Sequence, residues 1–472
     1  MELTDYMELE TAMTKRAGSL LAALVLAVAG ASAVRADTDR LVANAPRYEQ
    51  EYPIIQYSGP ARDNRIWRLQ EKLNRGEVKL QWEPRWGYLR SLLKALEIDT
   101  SSQTTVFSKT SLQTTQIAEK TPRAIYYNDD TYVGFVQNSD LLEFMAVDAK
   151  VGVVFFGMIN RQDTPPLLDR EGGRCLTCHD TYSMMGGGVP RVLVMSAPVD
   201  DPRDTRTYSS ASEVDDRTPI AERWGGWYLS GWYLAGKDGP VSHFGNLPLR
   251  TESSARDGDQ LKALIPTRDN RGNLEGYFDT TAYLTDKSDV VALLVLEHQS
   301  FVQNLITRVN FKVRTIMSRE GREAKTVPRA WADVDPRNQV ALKQMMEPLV
   351  RAMFFVDAAP LAGQVVTSSG FSERFAQRGP HDPQARSLRD LQLNKRLFRY
   401  PLSYMIYTES YTALPGYARE YVDSRIVEVL QGRDTTGLSD KLSAEDRAAI
   451  GGILAATLPR FAAPLGQRVA AR

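Results

Sequence analysis

Two cysteines occur in the whole chain, Cys175 and Cys178, and His179 follows directly. Cys-x-x-Cys-His is the spacing that tethers a porphyrin. Each thiol adds to one vinyl group and forms a thioether. Leu176 and Thr177 separate the two sulfurs by the span of the vinyls on one porphyrin edge. The next residue then lies under the iron, so Cys175 and Cys178 read as tethers and His179 as the proximal ligand of one covalent haem c. Two other chemistries use this pair. A zinc site needs four ligands, usually with a second close pair, and the sequence holds no second pair. A redox dithiol opens the helix of a βαβ unit, and no such unit surrounds Cys175.

A second axial ligand has few candidates, because the chain has four histidines. His298 has apolar helical neighbours, Leu294, Val295, Phe301, Val302 and Leu305. It therefore points from a buried helix face, either as a core histidine or as an iron ligand. His243 follows an aromatic, glycine-rich stretch and is a candidate haem contact. His381, between Pro380 and Asp382, reads as a surface loop residue. Met184 and Met185 follow His179 too closely to reach the opposite porphyrin face with ease. Glu297, His243 and His298 are the groups that could move protons if the site were catalytic. Arg174, Arg191 and Arg223 are candidate partners for haem propionates. Trp224, Trp227, Tyr228, Trp232 and Tyr233 could wall the haem or simply pack as strands around a Gly225-Gly226 bulge.

The elements around the motif change character along the chain. Helical spacing marks Asp63–Leu73 and Trp86–Ile98. Alternation and turn signals predict antiparallel strands at Ala124–Tyr127, Tyr132–Val136, Leu141–Val147 and Val151–Ile159. A further short strand is expected within Val189–Ala197, and a surface loop over Asp200–Arg217. Past Asp289 the pattern is helical: Val290–Val313, Pro336–Val356, Ser387–Leu397, Tyr417–Gln431 and Ser443–Leu458. Ser443 with Asp446 reads as a capping box. The fold class expected is α+β, with a β-rich half around the haem motif and a helical half behind it. The division reads as 1–36 leader, 37–123 helical lead-in, 124–285 haem c domain and 286–472 helical domain completing the pocket.

Lys15 and Arg16, an apolar run from Leu20 to Ala29, and Ala31-Ser32-Ala33-Val34-Arg35-Ala36 have the order of a secretory signal peptide. The apolar run is shorter than the roughly 20 residues that span a bilayer, which predicts cleavage and a periplasmic protein with no membrane span. Met13 is a plausible alternative start. Lys plus Arg and Asp plus Glu are equal at 58 each, so net charge points to no nucleic-acid partner. The hydrophobic and charged fractions, 43% and 25%, are those of an ordinary globular protein.

Through Cys175–His179 the chain resembles c-type cytochromes. Ala124-Ile125-Tyr126-Tyr127-Asn128-Asp129-Asp130, Glu222-Arg223-Trp224-Gly225-Gly226-Trp227-Tyr228 and Leu296-Glu297-His298-Gln299 look like segments of a group of large bacterial periplasmic haem c proteins. That resemblance implies haem c, periplasmic assembly and, by default, electron transfer with a redox partner protein; it brings no particular reaction. The motif lies mid-chain, unlike that of small class I cytochromes, so their fold is not expected. A haem enzyme acting on peroxide or a small inorganic ligand, and a haem-based sensor, are the other readings.

Overall fold

The computed structural model describes residues 52–171, 173–180, 188–197, 211–234, 272–324, 330–361 and 363–466. The expected signal peptide, His243, Met184 and Met185 lie outside them. The class is α+β, as the periodicities imply. Strands β1 (Thr104–Val106), β2 (Arg123–Tyr127), β3 (Thr131–Val136), β4 (Leu141–Asp148), β5 (Gly152–Ile159), β6 (Asp169–Glu171) and β9 (Trp227–Tyr228) form one sheet, in the order β6-β5-β4-β3-β2-β1-β9. Every pairing in it is antiparallel. Two small two-stranded sheets pair β7 (Met195–Ser196) with β8 (Ser212–Glu213), and β10 (Trp232–Leu234) with β11 (Gln364–Val366).

The helices longer than one turn are α1 (Arg65–Asn74), α2 (Leu89–Ala95), α3 (Gly173–His179), α4 (Val290–Ala324), α5 (Pro336–Met353), α6 (Phe371–Gln377), α7 (Gly416–Leu430), α8 (Ala444–Thr457) and α9 (Pro459–Gly466). A single apolar core runs from Tyr52 to Phe461. Helix α4 runs through it. Tyr127 on the sheet donates to the Ala292 carbonyl, and Gln299 donates to the Tyr132 hydroxyl at 2.7 Å. By length and apolarity Val290–Gly321 would suffice to cross a membrane, contrary to the expectation that no such segment follows the leader. Of its most apolar stretch, 83% is buried within the protein, as in a core helix.

Local chemistry explains the element ends. Asn64 caps α1 by accepting from Trp67 N–H at 2.9 Å, and Ser443 caps α8 by accepting from Asp446 N–H at 3.0 Å. The expected helix over Ser387–Leu397 is absent. There Asp390 accepts from Ser387 N–H, Ser387 Oγ accepts from Arg389 N–H, and Leu393 adopts a φ of 58°. These side chain–backbone bonds offer the chain an alternative to helix. The sequence missed α6, α9, β1, β6 and β11, and found β7 only as part of a longer strand; β8 and the buried Asp216 fall within the surface loop expected over Asp200–Arg217.

Gly152 shows how tightly sheet and central helix fit. It turns β4 into β5 at a φ of 75°, and an added Cβ would lie 2.5 Å from Thr307 Cγ2 on α4. Gly152→Ala should combine backbone strain with overpacking and lower stability by about 2–4 kcal/mol. Denaturant unfolding measures it.

Candidate functional site

Helix α3 carries the motif and ends at its histidine. Cys175 packs against the core while Cys178 is exposed, and both thiols are free. Burial pushes the Cys175 thiol up to about 12, with Glu171 and Glu143 adding to the effect. His179 is held at two points by one neighbouring segment. Its Nδ1 lies 2.9 Å from the Arg191 carbonyl, and its own carbonyl accepts from Arg191 N–H at 3.1 Å. A carbonyl can only accept, so Nδ1 carries the proton and Nε2 keeps its lone pair. Burial, the largest cause, pushes the imidazole down to about 4 against that hydrogen bond, so the ring is neutral at physiological pH. A neutral imidazole oriented through Nδ1 is the form that ligates metal. Phe155 of β5 packs on the ring at 4.8 Å between centroids.

The clamping segment is itself tied to the central helix. Asn304 of α4 donates to the Val192 carbonyl at 2.7 Å and accepts from Val192 N–H at 2.9 Å. Arg191 is buried and pairs with Glu213 at 2.7 Å. Trp227 Nε1 donates to the Met195 carbonyl at 2.7 Å, and Ser196 Oγ accepts from Gly225 N–H at 2.9 Å. Asn304 was not singled out in the sequence. Its one signal is a polar residue beside the apolar run of a buried helix.

His298 stands elsewhere and is engaged on all sides. Its Nδ1 lies 2.6 Å from Asp216 Oδ2, its Nε2 lies 2.7 Å from Ser403 Oγ, and Phe355 stacks on it at 4.1 Å. It has no exposure. With both nitrogens taken it offers no lone pair to iron in this arrangement; it is a bonded core histidine. Asp216, His298 and Ser403 have the order of a nucleophilic relay. Ser403 is fully buried, however, and its Oγ also accepts from Met405 N–H. Glu297, the neighbouring acid–base candidate, is also enclosed. It accepts from Arg223 at 2.5 Å and from Trp224 Nε1 at 2.7 Å.

The three arginines expected at propionates each hold a carboxylate of the chain: Arg174 with Glu171, Arg191 with Glu213, Arg223 with Glu297. Trp224, Trp227 and Tyr228 are buried, and Trp227 N–H donates to the Trp224 carbonyl at 3.0 Å, closing a turn over Gly225-Gly226. His381 lies in the loop after α6. Among the described residues no three His, Cys, Asp or Glu side chains cluster as a bare metal ion would require. The donor set at α3 suits a porphyrin instead: two free thiols on one short helix and a histidine whose Nε2 makes no hydrogen bond among the described residues. No family model, no curated protein and no solved structure matches the chain.

Burial, opposed by Arg223 and Trp224, pushes the Glu297 carboxyl up from 4.5 to about 7. A raised carboxyl binds its proton more tightly in the folded state. Its contribution to stability is therefore full below about pH 4.5 and falls as pH rises through about 7. Glu297→Gln should flatten that fall in unfolding measured between pH 5 and 8. Arg223→Met, which strands the carboxylate, should cost about 3–5 kcal/mol at pH 8.

Proposed function

We propose that the chain is an exported, periplasmic monohaem c protein that transfers electrons to or from a redox partner protein. Cys175 and Cys178 hold the porphyrin through thioethers, and His179 Nε2 is the proximal ligand. When bound, haem c supplies a one-electron iron couple. The observation that carries the reading is the hydrogen bond from His179 Nδ1–H to the Arg191 carbonyl. It fixes the tautomer and aims the free nitrogen before any cofactor arrives. A histidine without a metal to bind gains little from being kept neutral with its Nε2 unpaired among the described residues. Phe155 packs on the His179 ring and Cys175 packs against the apolar core, which holds this side of the motif in place.

Electron transfer is favoured over an enzyme because the acid–base groups Glu297 and His298 already hold partners within the core, Arg223 and Trp224 for the one and Asp216 and Ser403 for the other. His243, Met184 and Met185 remain the candidates for the second axial position.

Expression with c-type haem ligation machinery tests this. The wild type should give a haem-stained band on a denaturing gel, and Cys175→Ala with Cys178→Ala should abolish it. The optical spectrum should be six-coordinate and low-spin, unmoved by carbon monoxide or cyanide; a high-spin, ligand-binding iron would favour enzyme or sensor. His298→Ala should leave that spectrum unchanged while lowering stability by about 2–4 kcal/mol through lost packing and stranded polar partners.

A further inference from the structure

A charged pair lies on the sheet beside the attachment helix. Phe155, which touches the His179 ring, is two residues from Gly157 on β5, and Gly157 pairs with Glu143 on β4. Side chains alternate along strands, so Phe155 and Glu143 share one face as diagonal neighbours, about 7–8 Å apart along the backbone. Glu143 in turn pairs with Gly134 on β3, which pairs with Ile125 on β2. One acid is thus flanked by two glycines across three strands.

Arg123 lies across this clearing. An added Cβ on Gly134 would be 2.7 Å from its Nε and Nη2, so the guanidinium occupies the space that a side chain would fill. Its Nη2 meets Glu143 Oε2 at 3.1 Å, with side-chain exposures of 19% and 17%. Ser111 Oγ donates to the same carboxylate at 3.0 Å. Arg123 Nε is buried and finds no acceptor among the described residues.

A pair serving only to join β2 and β4 would not need to lie next to the motif or to be partly withdrawn from water. Partly buried charges are screened less than exposed ones and act over longer range. We propose that Arg123 and Glu143 are positioning residues that set the reduction potential of the haem tethered at Cys175 and Cys178. This rests on the haem reading above. Oxidation removes one electron from the iron and adds one positive charge to the site. Arg123 therefore favours the reduced state and Glu143 the oxidised state.

Spectroelectrochemical titration of the full-length haem-loaded protein tests it, with haem per chain determined first. Arg123→Gln should lower the midpoint and Glu143→Gln should raise it, each changing the oxidised-to-reduced ratio at fixed potential by roughly three- to tenfold, tenfold being ~59 mV for one electron. Arg123→Lys, which keeps the charge, should stay near wild type, and ligation bands should not move in any variant. Should Arg123→Gln fail to fold, Glu143→Gln and Arg123→Lys still decide. Midpoints that do not move, or that move in the same direction, with haem attached, overturn this inference alone. A wild type without haem overturns it together with the proposed function.

Discussion

A long helix threaded through an apolar core must satisfy each polar side chain it carries from within the protein, because a buried unpaired group costs about 1–3 kcal/mol. Helix α4 carries six polar residues between positions 297 and 304; Ser300 bonds back to the Leu296 carbonyl, and the other five bond residues outside the helix. Glu297 takes Arg223 and Trp224. His298 takes Asp216 and Ser403. Gln299 donates to the Asn128 carbonyl and the Tyr132 hydroxyl and accepts from Tyr404. Gln303 accepts from Ser410, and Asn304 binds Val192 at both its N–H and its carbonyl. Apolar contact holds the core together without regard to register. These bonds decide which loop docks at which turn of the helix.

The histidine of the Cys-x-x-Cys-His motif inherits its position from that scheme. Asn304 fixes the backbone of Val192, and the adjacent Arg191 fixes His179 by one bond to its ring and one to its carbonyl. Partners one step removed from a ligand set its orientation and basicity, and losing them weakens metal sites substantially. Here that partner is a backbone carbonyl, which no substitution at Arg191 deletes. Its placement depends on Asn304, six residues beyond His298 on the same helix, so the histidine expected as a second ligand and the residue that holds the segment beside His179 lie on one element.

What the sequence reveals follows from range. The Cys-x-x-Cys-His string is legible because it occupies five consecutive residues. Strands β2 to β5 are legible because alternation and turn residues are local, and their observed ends differ from the expected ones by a residue or so. Ser387–Leu397 misled because its apolar spacing suits a helix while Ser387 and Asp390 bond the backbone into turns. His298 misled for a different reason. An apolar surround is the same for a core histidine and for a pocket ligand; only its partners, Asp216 and Ser403, distant in sequence, separate the two. Arg123 and Glu143 were invisible because cross-strand register brings them together across 20 residues of chain.

The intact mass of the mature wild-type protein, made in cells competent for haem c attachment, bears on the central claim most directly. A mass one haem above that of the polypeptide, unchanged after acid–acetone extraction, is the predicted result. A mass equal to the bare polypeptide would contradict it.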